Sequence, residues 1–197
     1  MNHLAHFFLS GSNEDIIIGN FIADFITNKE VNGFTEGIQK GIMLHREIDS
    51  FTDTHETVKK STKRLHPYHH KYSPVIVDIY YDFLLAKNWE HFSKNTYIND
   101  MSVRDFTHKM YALLKKRRLD LPEKLQKRID KMIADDWLMT YTTYEGLNKA
   151  FKMIEKYAAF PGNFGNAALH LEMFVDDFNE EFKAFFPDLM EHVLKNR

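Results

Sequence analysis

The stretch from Pro74 to Trp89 constrains the fold most, because apolar side chains cover every face of the helix that it predicts. It begins with Ser73-Pro74, a capping hydroxyl followed by the residue favoured at the first helical position. A helix that is apolar all round has to be buried by other elements. No stretch of the chain alternates strictly between apolar and polar residues, so strands are not expected. The sequence therefore predicts an all-α, bundle-like fold.

Capping residues, prolines and loop signals divide the rest of the chain into helices. We expect helices over residues 2–9, 12–28, 35–52, 54–66, 74–92, 102–118, from 121 onward, 136–159 and 166–194. The expected caps are Ser12, Thr35 and Ser102. Breaks are expected at residues 66–71, at the turn 160–163 and near Pro187.

Length and composition set the broad class of the protein. The 197 residues suffice for one domain with its own core, so we expect a single domain over residues 1–197. A net charge of −2 argues against a nucleic-acid binder. The absence of cysteine excludes disulfides, thiolate nucleophiles and cysteine zinc sites. The sequence has no convincing signal peptide and no run that could cross a bilayer, so we expect a cytoplasmic protein. It does not indicate the oligomeric state.

Three segments place polar side chains four residues apart, the spacing that puts them on one face of a helix. They are the pair Asn20 and Asp24, the triplet His45, Asp49 and Asp53, and the pair Asp78 and Asp82. Buried carboxylates are costly unless a metal, an arginine or a shared proton offsets their charge. Arg46 alone cannot neutralise five acids. We therefore expect the three segments to meet at one divalent-metal site, although caps or salt bridges would also explain single aspartates.

The residue types suggest a role for each member of this site. The expected metal ligands are His45, Asp49, Asp53, Asp78 and Asp82. Such an oxygen-rich set suits Mn²⁺, or alternatively Mg²⁺, better than zinc. Asp24 is expected to be a ligand or the base that orients a water, with Asn20 in support.

Four motifs follow one another in the first 90 residues. They read Met1-Asn2-x-Leu4-Ala5-His6, Gly19-Asn20-x-x-Ala23-Asp24-Phe25, Gly41-Ile42-x-Leu44-His45-Arg46-x-Ile48-Asp49-x-Phe51-Thr52-Asp53 and Pro74-x-x-x-Asp78-x-x-x-Asp82-x-x-Leu85. Together they resemble the acyl carrier protein phosphodiesterase family, which is similar in fold to HD-type metal-dependent phosphohydrolases. His3 departs from the family pattern, and His6 fits the motif better, which makes His6 a further candidate ligand.

The resemblance implies an activity, a cofactor and a partner. The activity is hydrolysis of the phosphodiester that joins 4′-phosphopantetheine to a serine of holo-acyl carrier protein, which gives apo-carrier. Arg46 is then the candidate to hold a phosphate oxygen, and a salt bridge to one of the aspartates is the alternative. The implied metal is Mn²⁺, and the implied partner is the carrier, with neither nucleic acid nor membrane involved. Two rival functions stay open: an HD-like phosphohydrolase that acts on a nucleotide, and a non-catalytic helical binding module whose acids are structural.

Two further features have an ordinary and a functional interpretation. Lys115, Lys116, Arg117 and Arg118, with Lys124, Lys127, Arg128 and Lys131, form a basic region that is either a solvated helix face or a docking surface for an acidic carrier protein. His66, His69 and His70 lie in a surface loop or contact a metal or substrate.

Overall fold

A computed structural model describes residues 1–157 and 163–196, and within these ranges the chain contains helices and no β-strand. The α-helices are α1 (His3–Leu9), α2 (Glu14–Ile22), α3 (Glu36–Thr54), α4 (Glu56–His69), α5 (Ser73–Lys87), α6 (Trp89–Ser93), α7 (Val103–Lys116), α8 (Glu123–Ala134), α9 (Trp137–Thr140), α10 (Tyr144–Tyr157), α11 (Ala167–Met173) and α12 (Val175–Lys195). The all-α prediction is confirmed.

Helix α5 lies at the centre of the fold, as its apolar surface predicts. Its contacts include α1, α4 and α12. Tyr80 and Tyr81 are fully buried, and both hydroxyl groups form hydrogen bonds inside the protein, Tyr80 with the carbonyl oxygen of Ala167 and Tyr81 with Ser61 Oγ. The aromatic side chains of α12 pack around them, with Phe178 against Tyr80 and Phe182 against Tyr81. The core therefore forms where α5 and α12 bring their large side chains together.

Several helix ends differ from the sequence prediction in the first half of the chain. Helix α2 is capped by Asn13 rather than Ser12, because Asn13 Oδ1 accepts from the backbone N–H groups of Asp15 and Ile16. The helix then ends at Ile22 and passes into the 3₁₀ turn Ala23–Phe25 instead of continuing to residue 28. Thr35 precedes α3 as predicted, although its side chain makes no capping hydrogen bond.

The break predicted at residues 66–71 is displaced. Helix α4 runs through Pro67 and ends only where His70 adopts a positive φ of 47°, a conformation that α-helices cannot continue through. Helix α5 ends at Lys87, where the Asn88 side chain donates to the carbonyl oxygen of Leu84 and separates it from α6.

The second half follows the prediction more closely. Ser102 caps α7 by accepting from the N–H of Asp105. The last predicted helix is divided at Phe174 rather than near Pro187, which lies inside α12. The predicted turn at 160–163 falls on residues of which 160–162 are outside the described ranges. In the part of the chain that the structure describes, no helix is long and apolar enough to cross a membrane.

Two glycines bring α2 and α3 into backbone contact. A Cβ atom on Gly19 would lie 2.0 Å from the carbonyl oxygen of Ile38, and one on Gly41 would lie 2.3 Å from the carbonyl oxygen of Ile16. Only residues without a Cβ allow this approach. The contact matters for function because Asn20 follows Gly19 and His45 lies one turn beyond Gly41.

Candidate metal centre

A buried polar cluster lies where α1, α2 and α3 meet. Helix α1 contributes His6, α2 contributes Asn20, and α3 contributes His45 and Asp49 one turn apart. The two imidazole rings stack, with 4.0 Å between their centroids and 13° between their planes. Both histidines and Asn20 are buried, while Asp49 is partly exposed. The structure thus brings together segments that are far apart in the sequence. Two of them, the segment of Asn20 and the segment of His45 and Asp49, are among the three that the sequence predicts to meet.

Asn20 orients both imidazoles. Its Oδ1 atom lies 2.9 Å from His6 Nδ1 and 3.0 Å from His45 Nδ1, which is also 2.8 Å from the main-chain oxygen of Asn20. Its Nδ2 group donates to Ser10 Oγ at 2.9 Å and to the carbonyl oxygen of His6 at 3.2 Å, so Oδ1 is the atom that faces the rings. Each Nδ1 therefore donates to an oxygen of Asn20. Metal-binding histidines are held in this way, with the other nitrogen left for the metal.

The Nε2 atoms of the two histidines both face carboxylates. His6 Nε2 lies 3.2 Å from Asp49 Oδ1, and His45 Nε2 lies 3.1 Å from Asp49 Oδ2. His45 Nε2 is also 3.1 Å from Oδ1 of Asp24, which stands on the 3₁₀ turn after α2. One ligand atom from each of His6, His45 and Asp49 lies within 4.8 Å of the others. A single ion could therefore bind all three.

The protonation of the cluster favours a cation between its ligands. Burial lowers the pKa of His6 to about 4, so at neutral pH its Nε2 lone pair faces an oxygen of Asp49. Two acceptors at hydrogen-bond distance repel each other unless a proton or a metal lies between them. The site fits a divalent metal on this ground, and imidazole with carboxylate is a suitable donor set.

His45 carries a positive charge within the cluster. Burial acts to lower its pKa, but the hydrogen bonds with Asp24 and Asp49 outweigh burial and raise the pKa to about 9. Burial also acts to raise the pKa of Asp49 and of Asp24, but the hydrogen bond with His45, the other histidines and, for Asp49, the Met1 amino group together hold the pKa of each below its ordinary value. At neutral pH an imidazolium therefore lies between two carboxylates, at the place where a metal would replace its Nε2 proton.

Asp78 stands at the edge of the cluster. The Met1 amino group lies 3.3 Å from Asp78 Oδ1 and 3.2 Å from Asp49 Oδ1, and so bridges the two carboxylates. The side chain of Asp78 keeps 29% of its surface exposed. It is the predicted site residue of α5 that the structure brings nearest to the histidines.

The structure does not bring Asp82 and Asp53 into the ligand group. Asp82 is fully buried and accepts from the N–H groups of Leu4 at 2.8 Å and Ala5 at 2.9 Å, one with each oxygen. Burial raises its pKa to about 7 against the opposing effect of these bonds. Asp82 thus anchors the first turn of α1, which carries His6. Asp53 is exposed at the end of α3 and lies outside the group of His6, His45 and Asp49.

Arg46 points to the loop after α2, where its Nη2 donates to Asn28 Oδ1 at 2.7 Å.

Two other residues near Asp24 were not singled out from the sequence as site residues. His3 lies beside Phe21 and Phe25, and burial lowers its pKa to about 4 although Asp24 acts in the opposite direction. Arg128 reaches from α8 over the ring of Phe25, with 4.9 Å to the centroid. The departure of His3 from the family pattern was the available signal, whereas the contact between residues 25 and 128 is long-range and has no local signal.

Curated relatives are similar to this chain over nearly its whole length. The acyl carrier protein phosphodiesterase of Photorhabdus laumondii is 26% identical over 195 residues, which cover 97% of this chain and 94% of that protein. The proteins of the same name from Pectobacterium atrosepticum and Escherichia coli O6:H1 are 25% and 22% identical, and each match covers 97% of this chain and 96% of the relative. The search of solved structures gave no significant match. The family model described as acyl carrier protein phosphodiesterase matches residues 1–189, and the chain therefore belongs to the acyl carrier protein phosphodiesterase family.

Proposed function

We propose that this protein hydrolyses the phosphodiester between 4′-phosphopantetheine and the serine of holo-acyl carrier protein, with a divalent metal held by His6, His45 and Asp49. The observation that carries the metal site is the convergence of these ligand atoms within 4.8 Å of one another. The substrate follows from the family, since the relatives named above carry the name acyl carrier protein phosphodiesterase. Release of the prosthetic group would leave apo-carrier.

The donor set favours Mn²⁺, with Mg²⁺ as the alternative. Two imidazole nitrogens are poor ligands for Mg²⁺, which prefers oxygen and keeps most of its waters. Carboxylates suit Mn²⁺, which also accepts imidazole. Asp24 and Asp78 stand beside the three ligands and are candidates to complete the coordination.

A divalent cation in this position would offset the charge of the phosphodiester and lower the pKa of a water molecule. Asp24 is half-exposed and has a lowered pKa, so it is ionised at neutral pH and can orient the attacking water. Arg46, next to His45 in the sequence, is the candidate to hold a phosphate oxygen by exchanging its bond to Asn28 for one to the substrate. Asn20 keeps both Nε2 atoms aimed at the same point.

Mass spectrometry of the carrier tests this proposal. Incubation of holo-carrier with the protein and Mn²⁺ should remove the mass of the prosthetic group. Asp49→Asn should abolish the loss, because it weakens a ligand and the partner of both histidines. Asp130→Asn is a matched control, since Asp130 is an exposed carboxylate paired with Arg118 on a different part of the surface. Full turnover by Asp49→Asn, or by protein stripped of metal, would refute the proposal.

A further inference from the structure

A cleft of about 640 Å³ lies between α4 and α5, next to the candidate metal centre. Its volume is within the range of small-molecule binding sites. Its wall on α4 is made of three pairs of neighbouring residues, each one turn from the next: Val58 and Lys59, Thr62 and Lys63, and His66 and Pro67. Pairs at this spacing form one continuous face of a helix, roughly 14 Å long over about ten residues. Pro74 and Asp78 of α5 face this wall, and Asp53 closes one end.

Asp78 belongs to both the cleft and the candidate metal centre. It lines the cleft, and its Oδ1 atom lies 3.3 Å from the Met1 amino group, which in turn lies 3.2 Å from Asp49 Oδ1. A phosphate bound at the metal would therefore lie at the Asp78 end of the cleft. The carboxylates of Asp53 and Asp78 would repel this phosphate without a cation beside them, so the two sites depend on each other.

The lining suits a narrow, flexible and largely neutral chain. Val58, Pro67 and Pro74 provide apolar surface, and Thr62 provides a hydroxyl group halfway along. Lys63 is exposed at the rim, and Lys59 donates to Glu56 at 2.8 Å. Among the described residues that line the cleft there is no Phe, Tyr or Trp, so these residues offer no large aromatic ring on which a nucleotide base would stack.

We propose that this cleft binds the 4′-phosphopantetheine arm of the substrate, with the phosphate at the Asp78 end and the pantetheine chain along the face of α4. This inference rests on the proposed function and extends it to a binding site. The arm is a flexible chain with a dimethyl group and two amides, so it needs both apolar contacts and scattered polar partners. The cleft supplies both, next to the metal centre at which the phosphate would lie.

Ligand-induced stabilisation measures this binding without any turnover, because a ligand that binds only the folded state raises the melting temperature. With Mn²⁺ present, 4′-phosphopantetheine should stabilise the protein more than the same concentration of inorganic phosphate. Thr62→Trp fills the cleft halfway along, and should weaken 4′-phosphopantetheine binding at least ten-fold while leaving the response to phosphate unchanged. Lys152→Trp, on the exposed side of α10, is the matched control and should bind as the wild type does.

A second variant covers the case in which Thr62→Trp does not fold. Lys63 is exposed, so Lys63→Glu should leave the fold intact. At low salt this variant should bind 4′-phosphopantetheine with at least ten-fold lower affinity, because the new carboxylate repels the phosphate of the ligand. Wild-type affinity in a folded Thr62→Trp variant, or in Lys63→Glu if the former is unfolded, would overturn the proposal. So would a wild-type response to 4′-phosphopantetheine no larger than the response to phosphate.

The same variants separate this proposal from the proposed function. One outcome is that the wild type leaves holo-carrier intact but binds 4′-phosphopantetheine, and that Thr62→Trp prevents this binding. The cleft is then supported as the binding site, and the proposed hydrolysis is refuted. If the wild type converts holo-carrier to apo-carrier and folded Thr62→Trp does so with the same kcat/KM, the hydrolysis stands and the cleft is not the binding site.

Discussion

Asn20 is the residue on which the geometry of the candidate metal centre depends. Its two oxygens accept from the Nδ1 groups of His6 and His45, and its Nδ2 group is fixed by Ser10 and by the carbonyl oxygen of His6. Asn20→Ala removes the side-chain acceptor that both rings share. We expect the affinity for Mn²⁺ to fall about 10- to 100-fold, the usual effect of removing such a supporting partner.

Titration of the purified protein with Mn²⁺ measures this effect. Asn99→Ala is the matched control, because Asn99 bonds to Asp100 on an exposed loop and should leave the affinity unchanged. Wild-type affinity in Asn20→Ala would mean that the histidines do not need this support.

The pKa values of the two histidines predict how metal binding depends on pH. His45 has a pKa raised to about 9 and must lose a proton to bind a metal through Nε2, whereas His6 has a pKa lowered to about 4 and is already neutral at pH 7. Binding at pH 7 should therefore release close to one proton, and the apparent affinity should rise about ten-fold per pH unit until the pH passes the pKa of His45. Calorimetry in buffers of different ionisation enthalpy counts the protons, and release of none would contradict this assignment.

The sequence predicts only some of these roles. His45 and Asp49 follow from the four-residue spacing, and the structure places them together. The same spacing puts Asp82 with Asp78, yet both Asp82 oxygens accept from the N-terminal amides of α1. Helix starts need such acceptors, but nothing local in the sequence says that residue 82 meets residues 4 and 5. His6 is accessible from the sequence only through the motif that resembles the family.

At the scale of the elements, the contact of α2 with α3 sets the distance between Asn20 and His45. A Cβ on Gly41 would lie 2.3 Å from the carbonyl oxygen of Ile16 and 2.8 Å from the backbone nitrogen of Asn20. Gly41→Ala therefore forces the helices apart at the site. We expect a loss of about 2 kcal/mol in the free energy of unfolding, as for other overpacked positions, together with weaker Mn²⁺ binding.

Denaturant unfolding with and without Mn²⁺ provides both quantities. Gly33→Ala is the control, since a Cβ there would meet no atom within 4 Å, and its unfolding free energy should change by no more than about 0.5 kcal/mol. Equal stability of the two variants would show that the close approach of α2 and α3 is not needed.

Element identity was easier to predict than element ends. The apolar surface of α5 is a strong local signal, and its burial is confirmed. The ends depend on single side chains, such as Asn13 at the start of α2 and Asn88 after α5. Pro67 and Pro187 lie within helices because each helix tolerates one missing N–H donor where the rest of its length is packed.

Across the whole molecule, internal ion pairs take up much of the predicted basic region. Lys116 pairs with Glu14, Arg117 with Asp15, Arg118 with Asp130 and Lys124 with Glu30. These pairs link the end of α7 and the turn after it to α2 and to α8, and they link α8 to the segment before α3. Lys127 and Lys131 remain exposed on α8 with no ion pair among the described residues. The basic surface that is left for docking a carrier protein is therefore smaller than the sequence predicts.

Charge reversal on α8 tests this docking surface. The double variant Lys127→Glu/Lys131→Glu should raise KM for holo-carrier several-fold at low salt, and the difference should shrink as salt screens the charges. Lys149→Glu/Lys152→Glu on α10 makes the same change in net charge at exposed positions and serves as the control. Equal effects of the two double variants would mean that total charge matters, and not a surface on α8.

The proposed hydrolysis depends on a divalent cation held by side chains from α1 and α3. Anomalous diffraction from crystals grown with Mn²⁺ tests it directly, because the signal locates the metal itself. We expect a peak within bonding distance of His6 Nε2, His45 Nε2 and an oxygen of Asp49. Crystals at saturating Mn²⁺ with no peak there, and with His45 still bonded to Asp24 and Asp49, would contradict it.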